Sequence, residues 1–283
     1  MTRRKMSPYQ KLSRTRVFQN FLFRLLRKER LPIVSRELDD HIICFSPSGV
    51  IGRHLMTKGH WHREHVDRII SLLKQHDIEI VGKIACDIGA NIGTQTIYLH
   101  KAEVFSKILA IEPDPNNFKL LSFNIEINDL GKRTSLINAA ISRDPGTMPL
   151  YLNPGFTDGG HSLLQREGLS EQVDVRVIRM ATAFKEAEIN PQDIGFCWID
   201  TEGFDRDCVA QILEIAGNKV PVFTEVSENF RGKEEAAGYI NYLNEHYQYA
   251  YTFENNGTII FSENNNANMT GPSADILAFN IQN

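Results

Sequence analysis

A chain of 283 residues with 42% hydrophobic and 23% charged side chains can bury a full core, and the expectation is one catalytic domain with additions. Its formal net charge of −4 gives no general reason to expect nucleic acid as the partner. No uninterrupted apolar run approaches the ~20 residues that span a bilayer, and the four scattered cysteines, without a Cys-x-x-Cys pair, read as buried reduced thiols.

The charge is unevenly spread. Residues 1–30 hold ten basic residues against one acid, Glu29, which leaves 21 basic and 34 acidic residues in the body. Within this head Val17, Phe18, Phe21, Leu22, Leu25 and Leu26 recur at helical spacing and form one apolar stripe with a basic rim. A stripe of that kind packs on the catalytic domain or on a second copy, or it docks on an anionic membrane surface. A compact apolar core followed by a small-residue cleavage site is missing, so no secretory signal is expected. The expected location is cytoplasmic, with peripheral contact at the inner membrane surface through a basic amphipathic segment at 1–35.

Residues 36–80 predict a small β-hairpin and a helix leading into the core. Ile42-Ile43-Cys44-Phe45 and Gly49-Val50-Ile51, separated by turn residues, supply the hairpin between Arg36 and Thr57. Val66, Ile69, Ile70, Leu72 and Leu73 supply the helix from Glu64 to His76. His60, His62 and His65 beside Trp61 raise the question of a metal. Only His62 and His65 share a helical face, and no cysteine or clear carboxylate set completes a site, so a helix start with Trp61 packed on the core is preferred and no metal is expected.

From Lys83 onward apolar strands alternate with amphipathic helices, as in an α/β fold with a parallel sheet covered on both faces. Strand Lys83–Ile88 precedes helix Thr94–Lys101, strand Lys107–Glu112 and helix Pro115–Ile127, the last capped by Asp114 with Pro115 in its first turn. Leu136-Ile137 is a short third strand, and Met148–Leu152 and Val173–Ile178 alternate as exposed or hairpin strands do. Ile194–Ile199 and Pro221–Val226 are the fourth and fifth parallel strands, with helix Arg206–Ile215 between them. Helix Glu234–His246 is followed by closing strands at Tyr247–Phe253, Thr258–Phe261 and Ile276–Phe279.

Chemistry concentrates where the first of these strands ends, in Asp87-Ile88-Gly89-Ala90-Asn91-Ile92-Gly93. Ligands of open α/β sheets bind at the carboxyl edge of the strands, and glycine lets the backbone approach them without a Cβ. A dinucleotide turn reads Gly-x-Gly-x-x-Gly because pyrophosphate needs close backbone contact. Gly-x-x-x-Gly behind an acid suits a cationic, phosphate-free ligand better. The next strand ends in Glu112-Pro113, where an acid accepts hydrogen bonds from both hydroxyls of an adenosine ribose. Nicotinamide enzymes share this acid, so it indicates a nucleoside without choosing between cofactors.

With these residues, the helix ending Asn124-Ile125-Glu126-Ile127-Asn128, Asn138-Ala139-Ala140, and Ile199-Asp200-Thr201-Glu202-Gly203, the chain resembles the FkbM family of methyltransferases over roughly residues 83–227. The resemblance implies a Rossmann-like class I methyltransferase sheet with helices on both faces and an antiparallel strand near its C-terminal end, forming a domain at 81–283. It implies S-adenosylmethionine as cofactor and a hydroxyl acceptor on a saccharide, glycolipid or secondary metabolite. By position, Asp87, Gly89, Ala90, Asn91 and Gly93 would hold the methionine half, Glu112 and Pro113 the ribose, and Asn138 and Ala139 the adenine. The acid that many class I methyltransferases carry at that last place is absent.

Asp200 and Glu202 follow a buried strand and are the leading candidates to orient or deprotonate the acceptor. The alternative is that Asp200 organises the cofactor pocket and Glu202 caps the next helix. Asp205 reads as a cap or first-turn acid, and Glu225, ending the fifth strand, faces the same edge. His161, in the glycine-rich Gly159-Gly160-His161-Ser162 stretch, is a further candidate base or else a surface histidine. The acidic body argues against a nucleic-acid substrate. A nicotinamide-dependent oxidoreductase and a non-catalytic membrane-recruited module are the rival readings.

Overall fold

The computed structural model describes residues 33–47, 49–153, 159–165, 171–253, 259–260, 266–269 and 271–281. The basic amphipathic head therefore lies outside the described residues, as do Asn264-Asn265 in the late polar loop. In chain order the elements are β1 (Val34–Glu37), β2 (Ile42–Phe45), α1 (Val50–Thr57), α2 (Arg63–Gln75), β3 (Ile84–Ile88), α3 (Thr94–Lys101), β4 (Lys107–Ile111), α4 (Pro115–Ile127) and β5 (Thr134–Ile137). There follow β6 (Ala140–Ile141), β7 (Gly146–Leu152), β8 (Glu171–Ile178), α5 (Met180–Glu186), β9 (Ile194–Ile199), α6 (Asp205–Ala216), β10 (Val222–Ser227), α7 (Glu228–Arg231), α8 (Lys233–His246), β11 (Tyr249–Phe253), β12 (Ile259–Ile260) and β13 (Ser273–Phe279).

Eight strands form the central sheet in the order β12-β11-β13-β10-β9-β3-β4-β5. The pairs from β10 to β5 are parallel, and β13 inserts antiparallel between β10 and β11. Side chains alternate across the pleat, so each face of the sheet buries its own core. Cys86, Ile88, Leu109, Ile111, Cys197 and Ile199 pack towards α5, α6 and α8. Ala85, Ile108, Ala110, Phe196, Trp198 and Phe223 pack towards α1 to α4. The result is a Rossmann-like sheet with helices on both faces and an antiparallel strand near its C-terminal end. All four cysteines are buried and free, and no described helix is long and apolar enough to cross a membrane.

The predicted exposed strands pair with each other, β7 antiparallel to β8, in a separate three-stranded sheet completed by β6. The hairpin is smaller than expected. β1 and β2 pair, but the Gly49-Val50-Ile51 run opens a helix instead of a second hairpin strand. Burial gives the reason, since Ile51 and Leu55 are inside while Arg53, which a strand would place on their face, is exposed. The late strand expected at Thr258–Phe261 is described only over Ile259–Ile260.

Leu55 is fully buried in the cluster that carries α1 against the sheet. Leu55→Ala is expected to lower unfolding stability by about 2–5 kcal/mol, read from a urea or guanidinium midpoint, whereas Arg53→Ala should stay within about 0.5 kcal/mol.

Candidate active site

Parallel register brings Ile88 of β3 level with Ile111 of β4 and Ile199 of β9. The residues that follow, Gly89, Glu112 and Asp200, therefore leave the sheet at one edge. Gly89 and Ala90 both donate their amides to the Ile111 carbonyl (2.9 Å each), and Asp200 donates to the Ile88 carbonyl (2.9 Å). Gly89 has φ +87°, and a Cβ on it would stand 1.8 Å from the Asp200 carbonyl oxygen. Only glycine fits where these two strand ends cross.

The Glu112 carboxylate closes the turn. Its Oε2 accepts from the Asn91 amide and its Oε1 from the Asp114 amide, both at 2.8 Å. Asn91 sits in the left-handed region (φ +52°), which asparagine tolerates, and its Oδ1 accepts from the Ile92 amide (2.7 Å). Asp114 is the expected cap of α4, accepting from the Asn116 and Asn117 amides at 2.6 and 3.2 Å.

A cavity of about 350 Å³ lies over this edge, within the usual size of small-molecule sites. Gly89, Asn91, Glu112, Pro113 and Ala139 line it at one end, while Asp200, Glu202 and His161 also reach its wall. The remaining expected donor residues stand behind that wall. Asp87 is buried against α3, where its carboxylate accepts from the Thr96 hydroxyl. Ala90 is buried in the core of the α1–α4 side. Gly93 starts α3 at φ +91°, with Leu121 where a Cβ would go. Asn138 is exposed, and its Nδ2 donates to the Glu112 and Pro113 carbonyls (2.8 and 3.0 Å). These four shape the turn, and the cavity is reached by their neighbours.

His161 is not a surface residue: its side chain is only 11% exposed. Its Nδ1 accepts from the Asn153 amide (3.0 Å) and its Nε2 faces Asp114 Oδ2 at 3.6 Å. That pattern puts the ring proton on Nε2 and occupies the other lone pair. Burial lowers its pKa against the opposing pull of Asp114, so the ring is held neutral and engaged. Asp205 is a first-turn acid of α6, as expected of it, with Phe204 at the N-cap. Its two carboxylate oxygens accept from the Thr201 and Gly203 amides (3.1 and 3.0 Å), folding the loop ahead of α6 back on itself. Glu202 adopts φ +55° in that loop and does not cap α6, whose N-cap is Phe204.

Asp200, Glu202 and Glu225 bring carboxylate oxygens within 4.8 Å of one another. Asp200 is exposed and lines the cavity. Its pKa is raised well above the carboxylate range by burial first and then by Glu202, Glu225, Asp205 and Asp275. Burial likewise pushes Glu112 to about 8 and Asp87 to about 7.

Sequence reading did not single out Trp198, Val50 or Ile51 as site residues. Trp198, in the core on the α1–α4 side of the sheet, lines the cavity together with Val50, Ile51 and Trp61 of the N-terminal extension. Trp61 itself packs against that core and stacks on His62 (4.3 Å between centroids), while His62 opens α2 and lies 4.6 Å from His65. The histidines thus form an aromatic run at a helix start.

The cavity lies over the carboxyl edge of a Rossmann-like sheet, where ligands of such sheets bind. The methyltransferase FkbM domain model matches residues 87–251, more than half of the chain, and the chain belongs to that family, whose cofactor is S-adenosylmethionine. Among curated proteins it is similar to methyltransferase sdnD of Sordaria araneosa, 35% identical over 81 residues, 29% of this chain and 31% of that protein. The match thus spans about a third of that relative's length. Among solved structures it is similar to M. jannaschii TYW2 in complex with AdoMet (10% identity, TM-score 0.45, 87% of this chain and 83% of that one). It is also similar to the M. jannaschii tRNA m1G37 methyltransferase (10% identity, TM-score 0.42, 88% and 55%), whose tRNA substrate is a property of that enzyme.

Gly89→Ala is expected to abolish binding of S-adenosylhomocysteine in calorimetry and to lower the melting temperature, because the carbonyl it meets is backbone and cannot swing aside. The raised acids also set a pH dependence. Asp87 and Glu112 hold protons in the folded chain that they release near pH 4 when unfolded, so their stability contribution is complete below about pH 4 and is lost as pH rises through about 7 to 8. The urea midpoint without ligand should therefore fall between about pH 6 and about pH 8.5 in a Glu112-dependent manner; a fall of equal size in Glu112→Gln would remove Glu112 as its source.

Proposed function

We propose that the chain transfers a methyl group from S-adenosylmethionine to a hydroxyl on a saccharide, glycolipid or secondary metabolite. The observation that carries the reading is the charge of the cavity: Glu112, Asp200 and Glu202 line it, and no Lys or Arg does so among the described residues. A dinucleotide pyrophosphate or a nucleic-acid backbone is anionic and would be repelled there. A sulfonium and an ammonium would be attracted, and each favours the ionised form of carboxylates that burial otherwise keeps protonated.

The residues fit this donor. Glu112 stands at the end of β4, where a ribose would meet it, and the apolar walls of Ile111, Ala139 and Ile141 suit a planar base. Gly89, Asn91 and Pro113 are the cavity-facing remainder of the donor end, with Asp87, Ala90, Gly93 and Asn138 holding its shape. When bound, S-adenosylmethionine supplies an electrophilic methyl carbon on sulfur.

Asp200 and Glu202 then have two tasks. They orient the acceptor hydroxyl in line with that carbon, a positional effect that can lower a barrier by about 7–11 kcal/mol, and they take the proton the hydroxyl loses as its oxygen–carbon bond forms. A carboxylate of raised pKa is a stronger proton acceptor once ionised, and Asp200 has that property. His161, with Nδ1 engaged by Asn153, is assigned to holding its loop against Asp114.

The deciding experiment is thermal shift and calorimetry with S-adenosylhomocysteine against NAD, followed by transfer of labelled methyl from the donor to a panel of saccharide and metabolite hydroxyls. Stabilisation by NAD alone would sink the reading. Asp200→Asn and Glu202→Gln are expected to keep S-adenosylhomocysteine affinity within about threefold and to lower kcat by about 10²-fold or more. Wild-type turnover in both would return these acids to a structural role.

A further inference from the structure

Two asparagines one helical turn apart, Asn124 and Asn128, reach from α4 to the open edge of the N-terminal hairpin. Strand β2 pairs with β1 through one edge only, and an unpaired buried edge must find other partners. The two side chains take the place of a third strand. Asn128 Oδ1 accepts from the Ile42 amide (2.8 Å) and its Nδ2 donates to the Ile42 carbonyl (2.7 Å). Asn124 Oδ1 accepts from the Cys44 amide (2.7 Å) and its Nδ2 donates to the Cys44 carbonyl (2.9 Å). Residues i and i+4 of a helix are thereby matched to residues i and i+2 of a strand, since both spacings are close to 6 Å.

The two asparagines differ in one respect. The second hydrogen of Asn128 Nδ2 goes to the Asn124 carbonyl (2.7 Å), within its own helix. That of Asn124 Nδ2 goes to the Ile92 carbonyl (2.8 Å), inside the donor turn. Asn124 is fully buried, so these bonds have no water to replace them. The strand it grips leads within a few residues into Val50 and Ile51, which line the same cavity.

We infer that Asn124 is a positioning residue through which the donor turn and the N-terminal hairpin hold one another, so that donor binding at Gly89–Gly93 fixes the stretch of cavity wall carried by Val50 and Ile51. The inference rests on the donor reading of that turn. Asn128 serves as its internal control, because it docks the same hairpin without touching the turn.

Two measurements with S-adenosylhomocysteine test it. Calorimetry on full-length Asn124→Ala and Asn128→Ala should give similar falls in melting temperature, with Kd raised about tenfold or more in the first and held within about twofold in the second. Equal weakening in both variants, or none in Asn124→Ala, overturns the coupling. The second measurement needs no variant: hydrogen exchange on the wild-type chain should slow at the Cys44 amide, as well as at Asn91 and Ile92, when S-adenosylhomocysteine binds. Slowing confined to the turn overturns the coupling and leaves the donor reading intact. Failure of the wild-type chain to bind S-adenosylhomocysteine at all overturns the donor reading, and the coupling with it.

Discussion

The carboxylate of Glu112, buried at the end of β4, spans two backbone amides that belong to different parts of the chain. One oxygen holds Asn91 and so fixes the turn after β3; the other holds Asp114 and so fixes the start of α4. Burial makes ionisation costly there and pushes the Glu112 pKa to about 8, and the bonds that satisfy the buried carboxyl also set the shape of the cavity. Asp114 in turn faces His161, so the loop beyond β7 is referred to the same carboxylate. Strand order alone would bring β3, β4 and β9 to one edge. Their ends are then tied together by the Glu112 carboxylate and by the side-chain-free approach of Gly89 to the Asp200 carbonyl.

The same arrangement accounts for the electrostatics. Asp87, Glu112 and Asp200 each have their proton affinity raised mainly by burial, and no cationic side chain lines the cavity among the described residues. Structural carboxylates are ordinarily paired with Lys or Arg, as Asp40 is with Arg63 on the hairpin, where the carboxyl falls well below its usual range. The acids of this edge are treated differently: Asp87 and Glu112 are satisfied by the Thr96 hydroxyl and by backbone amides, without a Lys or Arg partner.

Much of this was legible from sequence. Buried runs such as Ile194–Ile199 and capped helices such as Pro115–Ile127 are decided by local pattern, and the structure places them at the same residues. The helix α1 was not legible, because three apolar residues after a glycine satisfy a strand and a helix equally until burial distinguishes Arg53 from its neighbours. The short helix α5 was missed for a related reason: Arg179 at its N-cap makes no side-chain cap and its first turn holds no acid. In the site, the glycine turn and Glu112 were readable as chemistry, but which acids face the cavity was not. Asp87 lies within β3, level with Ala110 of β4, and its carboxylate accepts from Thr96, whereas Glu112 stands one residue beyond the end of β4; this register was not readable from either strand alone.

The resemblance pattern included Asn124 and Asn128 without giving them a task, and the geometry supplies one. A two-stranded hairpin is marginal on its own, and this one is made stable by helix side chains that complete its edge. Evolution could have buried that edge under apolar residues, but an apolar cover cannot satisfy backbone amides. A third strand would satisfy them, yet would place no donor on the Ile92 carbonyl. Asparagine at i and i+4 does both with two side chains. The stretch of cavity wall formed by Val50 and Ile51 is therefore tied to the central sheet through the same helix, α4, that reaches the turn after β3.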